Sequence, residues 1–174
     1  MRWVRSELGT ASLRREVGAL RCGLDGTLWR GDEAQDRCVK LVKAHPPQEN
    51  IDGQVVDVLP FDLERAHTLY KALLGPVEDM IKGKHLLVVP SGPLTSLPLH
   101  ALVTEAPKTR IPRTLAEYRE VVWLATRQHI TVLPSVASLK AIRCSMVHRT
   151  TPSGVSTTRS RPRPPAASSN ARGR

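Results

Sequence analysis

Between Ala11 and Leu24 the apolar residues Leu13, Val17, Leu20 and Leu24 return every three or four positions, which places them on one face of an α-helix. Arginines occupy the other side, so the stretch predicts an amphipathic helix. A second, shorter helix is predicted from about Asp32 to Lys43. HPPQENIDGQ follows, with two prolines, Asp52-Gly53 and no apolar face, and reads as an exposed linker. Beyond Pro60-Phe61, Asp62 is placed to cap a helix whose Leu63, Ala66, Leu69, Tyr70 and Leu73 form one stripe. Gly75-Pro76 breaks that helix, and Pro76 opens a further turn through Val77, Met80 and Ile81 that ends at Gly83.

The run from His85 to Val89 has a different pattern: it is apolar without alternation, as expected of a central strand covered on both faces. A short extended piece is expected near Leu97–Val103. Thr114 and Glu117 have the spacing of a capping box, and Leu115, Tyr118, Val121, Val122 and Ala125 supply the buried side of the next helix. Ile130 to Leu133 reads as a second strand, closed by Pro134-Ser135 before a helix start at Ser138. Helix, strand, helix, strand in this order imply an α/β layer.

The pattern divides the chain into a helical N-terminal segment (1–44), a linker (45–59), an α/β domain (60–142) and a tail (143–174) rich in Arg, Ser, Thr and Pro. Six aromatic residues, Trp3, Trp29, Phe61, Tyr70, Tyr118 and Trp123, all precede the tail, which is therefore expected to be disordered. Charge follows the same boundary. The net charge is +10, but seven unopposed arginines of the tail supply most of it and the body is only mildly basic. Without aromatic interleaving, the tail is expected to bind nucleic acid only weakly and without sequence preference. No apolar run approaches the roughly 20 residues of a membrane helix, and MRWVRSELGT lacks the apolar core of a secretory signal. Cys22, Cys38 and Cys144 are widely spaced, with no CxxC pair, which argues against a zinc site or a disulfide framework and fits a reducing, cytoplasmic setting.

The segments PFDLERAHTLYKALLGPVEDMIKGKHLLVVPSGPLTSLPLHALVT and YREVVWLATRQHITVLPSVASLKAIR together resemble the N-terminal part of the CHAT domain, a bacterial caspase-like module often found beside tetratricopeptide repeats. The resemblance rests on the Leu74-Gly75-Pro76 break, Leu86 to Leu94, Leu97-Pro98-Leu99 with Ala101-Leu102, and Ile130 to Ser135 with Ser138-Leu139. It implies a partial caspase-like fold. It also implies relatives that act as cysteine peptidases through a His–Cys dyad, whose residues follow later strands than any matched here. No residue of this chain takes either role by that match: Cys144 lacks a preceding apolar strand, and His148 is followed by Arg instead of Gly. The expected partners are proteins, either of tetratricopeptide type or a complementing caspase-like half. The chain itself is expected to be a truncated member without peptidase activity, or an interaction module that uses an open sheet edge.

Several residues invite chemical readings that their surroundings do not support. Ser91 follows a strand, but Val89 and Pro93 stand where a nucleophile elbow carries glycine, so Ser91 reads as a turn residue. LDGTLW resembles the aspartate motif of haloacid-dehalogenase-like phosphatases, yet Gly23 stands where the nucleophilic Asp belongs, so Asp25-Gly26 reads as a turn. His67, His85, His100 and His129 have no partners at ligand spacing and are expected to be structural. Trp29, Tyr118 and Trp123 are expected to pack in the core and not to stack on bases. No catalytic, cofactor-binding or metal-binding residue is therefore assigned, and no cofactor is expected.

Overall fold

The computed structural model describes residues 8–138. The chain opens with α1 (Thr10–Cys22), which buries Val17, Ala19, Leu20 and Cys22 on the face anticipated by its spacing. A 3₁₀ turn (Gly26–Trp29) leads to α2 (Asp32–Val42). Gly23, at the end of α1, lies against the backbone of the later chain: a Cβ there would stand 2.4 Å from the Cα of Phe61, so only glycine fits.

The expected linker is instead a hairpin. Strands β1 (Gln48–Ile51) and β2 (Gln54–Asp57) pair antiparallel, with Ile51 opposite Gln54. Asp52 and Gly53 turn between them with φ of 52° and 83°, the left-handed pair that a two-residue hairpin turn requires. The strands are polar and largely exposed, so no burial pattern announced them.

Helix α3 (Leu63–Leu73) begins where Asp62 accepts the backbone N–H of Arg65 at 3.0 Å. Its buried Leu63, Ala66, Leu69 and Tyr70 meet Val17 and Leu20 of α1 with Phe61, Leu97, Leu99, Leu102, Val103 and Leu124 in the main core. A 3₁₀ turn at Gly75–Val77 and α4 (Glu78–Ile81) follow, closed by Gly83. Strand β3 (Leu86–Val88) then leads into two 3₁₀ turns, Gly92–Ser96 and Leu99–Ala101, the second inside the stretch where an extended piece was expected.

The helix expected over Leu115 to Ala125 is two helices. α5 (Leu115–Arg119) is capped by Thr114, whose hydroxyl accepts the N–H of Glu117, and α6 (Leu124–Arg127) follows after a gap. Between them Val122 accepts a hydrogen bond from the N–H of Thr104 at 2.9 Å, and Val103 forms an antiparallel bridge with Trp123. Pairing with a distant segment thus holds Val122 and Trp123 extended against the local helical preference. Strand β4 (Ile130–Val132) pairs parallel with β3, Leu86 opposite Ile130 and Val88 opposite Val132. The result is a mixed α/β structure, about half helical, with two small sheets.

Candidate functional site

Apolar side chains are exposed in and just after β3, and this strand also carries the most distinctive sequence. Val88 packs against the core with Ile130 and Leu86 is half-buried, whereas Leu87 is 51% exposed and Val89 is 41% exposed. The expectation of a strand covered on both faces therefore fails among the described residues: one face is packed and the other meets solvent.

The strand is also bare along one edge. Leu86 donates its N–H to His129 at 2.8 Å and Val88 accepts from Leu133 at 2.8 Å, so alternate residues of β3 face β4. Leu87 directs its N–H and C=O to the opposite edge, where among the described residues no strand lies. Beneath this sheet an apolar cavity of about 160 Å³ is lined by residues that include Leu73, Leu74, Val88, Val89, Leu94 and Ile130.

Ser91 stands just before the 3₁₀ turn that follows β3, in extended backbone, and makes no side-chain capping hydrogen bond. Gly92 carries the turn with φ of 57°, a conformation that L side chains rarely adopt. Pro93 and Gly92 carbonyls accept the hydroxyls of Ser96 and Thr95. These contacts form a rigid exit from the strand. Nothing among them activates the Ser91 hydroxyl.

The histidines are held by local contacts. His67 Nδ1 meets the Val103 carbonyl at 3.1 Å, His85 Nε2 meets Thr131 Oγ1 at 2.8 Å across the two strands, and His100 Nε2 meets the Ile130 carbonyl at 3.3 Å. His129 lies edge-on to His85, with ring centroids 6.3 Å apart. Among the described residues no group of three or more His, Cys, Asp or Glu is arranged to hold a metal ion. Asp25 caps the turn after α1, accepting the hydroxyl of Thr27 at 2.6 Å and its N–H at 3.0 Å; these bonds lower its pKa, the hydroxyl contributing most.

The aromatic residues pack as the sequence suggests. Tyr118 donates its hydroxyl to the Leu59 carbonyl at 2.9 Å and accepts the N–H of Phe61 at 3.0 Å, while burial raises the pKa of the phenol. Trp123 donates to the Tyr118 carbonyl and lies against Phe61, and Trp29 donates to the Cys22 carbonyl. Burial likewise raises the pKa of Tyr70.

Sequence spacing missed two arrangements. Asp62, only 1% exposed, does more than cap α3: its carboxylate also accepts Arg65 Nε at 3.3 Å and Arg110 Nη2 at 2.7 Å. Arg65 continues to Glu16 of α1 at 2.6 Å, and Arg110 reaches the Val42 carbonyl at the end of α2 at 3.0 Å. One buried carboxylate thereby joins α1, α2, α3 and the loop of Arg110. The second arrangement overturns the reading of the cysteines. Cys22 and Cys38 form a disulfide, because the antiparallel course of α1 and α2 brings their Cα atoms to 5.7 Å although they are 16 residues apart in sequence. Cysteine usage therefore gives no argument for a reducing compartment.

Cys144, His148 and the arginine-rich tail lie outside the described residues. Among the described residues no helix is long and apolar enough to cross a membrane. No curated protein and no solved structure matches the chain. The CHAT domain model matches residues 63–170, starting at the first residue of α3 and taking in β3, its turn and β4. That match covers more than half of the chain, which therefore belongs to the CHAT domain family.

Proposed function

We propose that this chain is a CHAT-family interaction module without peptidase activity, built as a partial caspase-like fold that engages a protein partner through β3. The observation that carries this reading is the condition of β3: a strand apolar on both sides, paired among the described residues along one edge, with Leu87 and Val89 exposed. An edge of this kind is a template for another strand, and the backbone of Leu87 offers the donor and acceptor. The partner is a protein with an extended segment to add, either a complementing caspase-like half or a tetratricopeptide-type protein.

The disulfide supports the absence of peptidase activity. A cysteine peptidase needs a thiolate, and while the Cys22–Cys38 bond stands neither of these two residues supplies one; Cys144 lies outside the described residues. Ser91 lies on a turn whose geometry depends on Gly92, not on the serine hydroxyl.

Backbone amide exchange on the full chain tests the reading. In a monodisperse monomer the Leu87 amide should exchange freely, and it should become protected when the chain associates. Slow exchange at Leu87 in a monomer would show that the fold closes its own edge and would end the proposal, whereas Leu86, whose N–H is bonded to His129, is slow in either case. In parallel, hydrolysis of peptide and ester substrates should stay at background for wild type and for Ser91→Ala. Activity lost in Ser91→Ala, or blocked by a thiol-alkylating reagent, would establish an enzyme instead.

A further inference from the structure

We infer that the Cys22–Cys38 disulfide is a redox-sensitive clamp on α2, holding that helix in place while oxidised and releasing it on reduction. The reasoning begins with the composition of α2. Of its eleven residues, DEAQDRCVKLV, only Cys38 and Val42 are buried. They belong to a small cluster with Cys22, supported by Leu28, Trp29, Leu41, Ala44 and Ile111, which is separate from the main core. So little apolar burial is weak restraint for a helix of three turns, because isolated helices of this length are marginal in water.

Other attachments are few. The Val42 carbonyl accepts Arg110 at 3.0 Å and the Leu41 carbonyl accepts Arg65 at 3.5 Å, while Arg110 keeps Asp62 and Arg65 keeps Glu16 and Asp62 as nearer partners. Neither therefore depends on α2. The covalent bond to Cys22 is the strongest attachment α2 has, and α1 on its far side is anchored in the main core through Val17 and Leu20. Closing a loop of this size shifts the order–disorder equilibrium by a factor of roughly 100.

Cys22 and Cys38 are each only 2% exposed, so a reductant reaches the bond only after α2 has swung outward. A dithiol reductant then completes a balanced exchange. One of its thiolates attacks a sulfur of the bridge to form a mixed disulfide and release the other cysteine. Its second thiol attacks that mixed disulfide, closing the oxidised reductant. Cys22 and Cys38 leave as thiols, having gained two electrons and two protons in total. With the bridge gone, α2 retains only its two carbonyl contacts and its small cluster. Redox state thus sets the order of α2, while α3 and the main core remain as they were.

The full chain carrying Cys144→Ser leaves two cysteines and a clear test. Alkylation under denaturing, non-reducing conditions should modify neither cysteine of the air-oxidised protein. After treatment with dithiothreitol, amide exchange over 32–42 should accelerate about 100-fold, with exchange over 63–73 unchanged. Cys22→Ser with Cys38→Ser should show the fast α2 without reductant. The inference falls if both cysteines alkylate in the oxidised protein or if α2 exchange ignores reduction. It also falls if α3 accelerates with α2, because the bridge would then support the whole fold; a double variant that does not fold counts with that outcome.

Discussion

Helix α3 and strand β3 are both rich in apolar side chains, and the molecule treats them differently. Leu69 of α3 is buried to 2% exposure at the centre of the main core, with Leu63, Ala66 and Tyr70 beside it. Leu87 of β3 is 51% exposed and, among the described residues, has no strand beyond its edge. The difference lies in how many elements converge on each. α3 meets α1 and the segments around Leu97–Val103 and Leu124, and its capping Asp62 ties in α2 and Arg110 as well. β3 meets β4 on one edge and the core on one face. Equal hydrophobicity in the sequence therefore marks two different things, a completed core and an apolar surface open to solvent.

The sharpest way to break this comparison is to remove Asp62. Asp62→Ala should cost about 2–4 kcal/mol, because it deletes the α3 cap and the acceptor that Arg65 and Arg110 share, although Arg65 keeps Glu16 and Arg110 reaches solvent. Urea denaturation would measure it. A loss below about 1 kcal/mol would place the network among surface ion pairs of little consequence.

A matched pair of truncations compares the two regions directly. Leu69→Ala should cost about 2–5 kcal/mol, whereas Leu87→Ala should fall within about 0.5 kcal/mol of wild type. Leu87→Ala should nevertheless reduce self-association or partner binding. If the two variants lose stability equally, β3 is covered as fully as α3 and the contrast is void.

How much of this was legible beforehand follows from the same contrast. Asp62, Leu63, Ala66, Leu69 and Tyr70 advertise α3 because cap and stripe are both local signals, and the apolar run of β3 and the Thr114–Glu117 cap were readable for the same reason. Features made by distant partners were not. The break between α5 and α6 follows from Thr104 reaching Val122, the second role of Asp62 from Arg110, and the disulfide from the packing of α1 on α2. The β1–β2 hairpin was signalled only by Asp52-Gly53, since its strands have no apolar face to alternate. The solvent-facing side of β3 escaped for a further reason: an unbroken apolar run states that both faces are apolar but not that both are covered.

The exit from β3 gives a smaller effect. Gly92→Ala forces a Cβ onto a residue with φ of 57°, where the strain is conformational, because no heavy atom lies within 4 Å of that Cβ. The expected cost is about 1 kcal/mol, read as a fall in melting temperature, with Ser91→Ala as the neutral control. Equal losses for the two variants would mean that the serine side chain, not the turn backbone, holds the strand exit.

Tyr118 gives the smallest expected effect and tests whether the α3 side of the molecule is closed to water at its edge. Its hydroxyl bridges Leu59 and Phe61, and burial raises its pKa above the ordinary value of 10.0. A raised folded-state pKa means that the neutral phenol is the form the fold accepts. The stability it contributes is fully present below about pH 10, where the unfolded phenol would begin to ionise, and is lost as the pH rises through the higher folded-state value. Wild type should therefore lose melting temperature as the pH rises above about 10. Tyr118→Phe starts lower because it gives up both hydrogen bonds, but its curve should be flatter in that range. Tyr70, also raised by burial, titrates in both proteins and cancels from the difference. Parallel curves for the two proteins would mean that the Tyr118 hydroxyl ionises as freely when folded as when unfolded, and that the segment joining β2 to α3 is as open to solvent as the bare edge of β3.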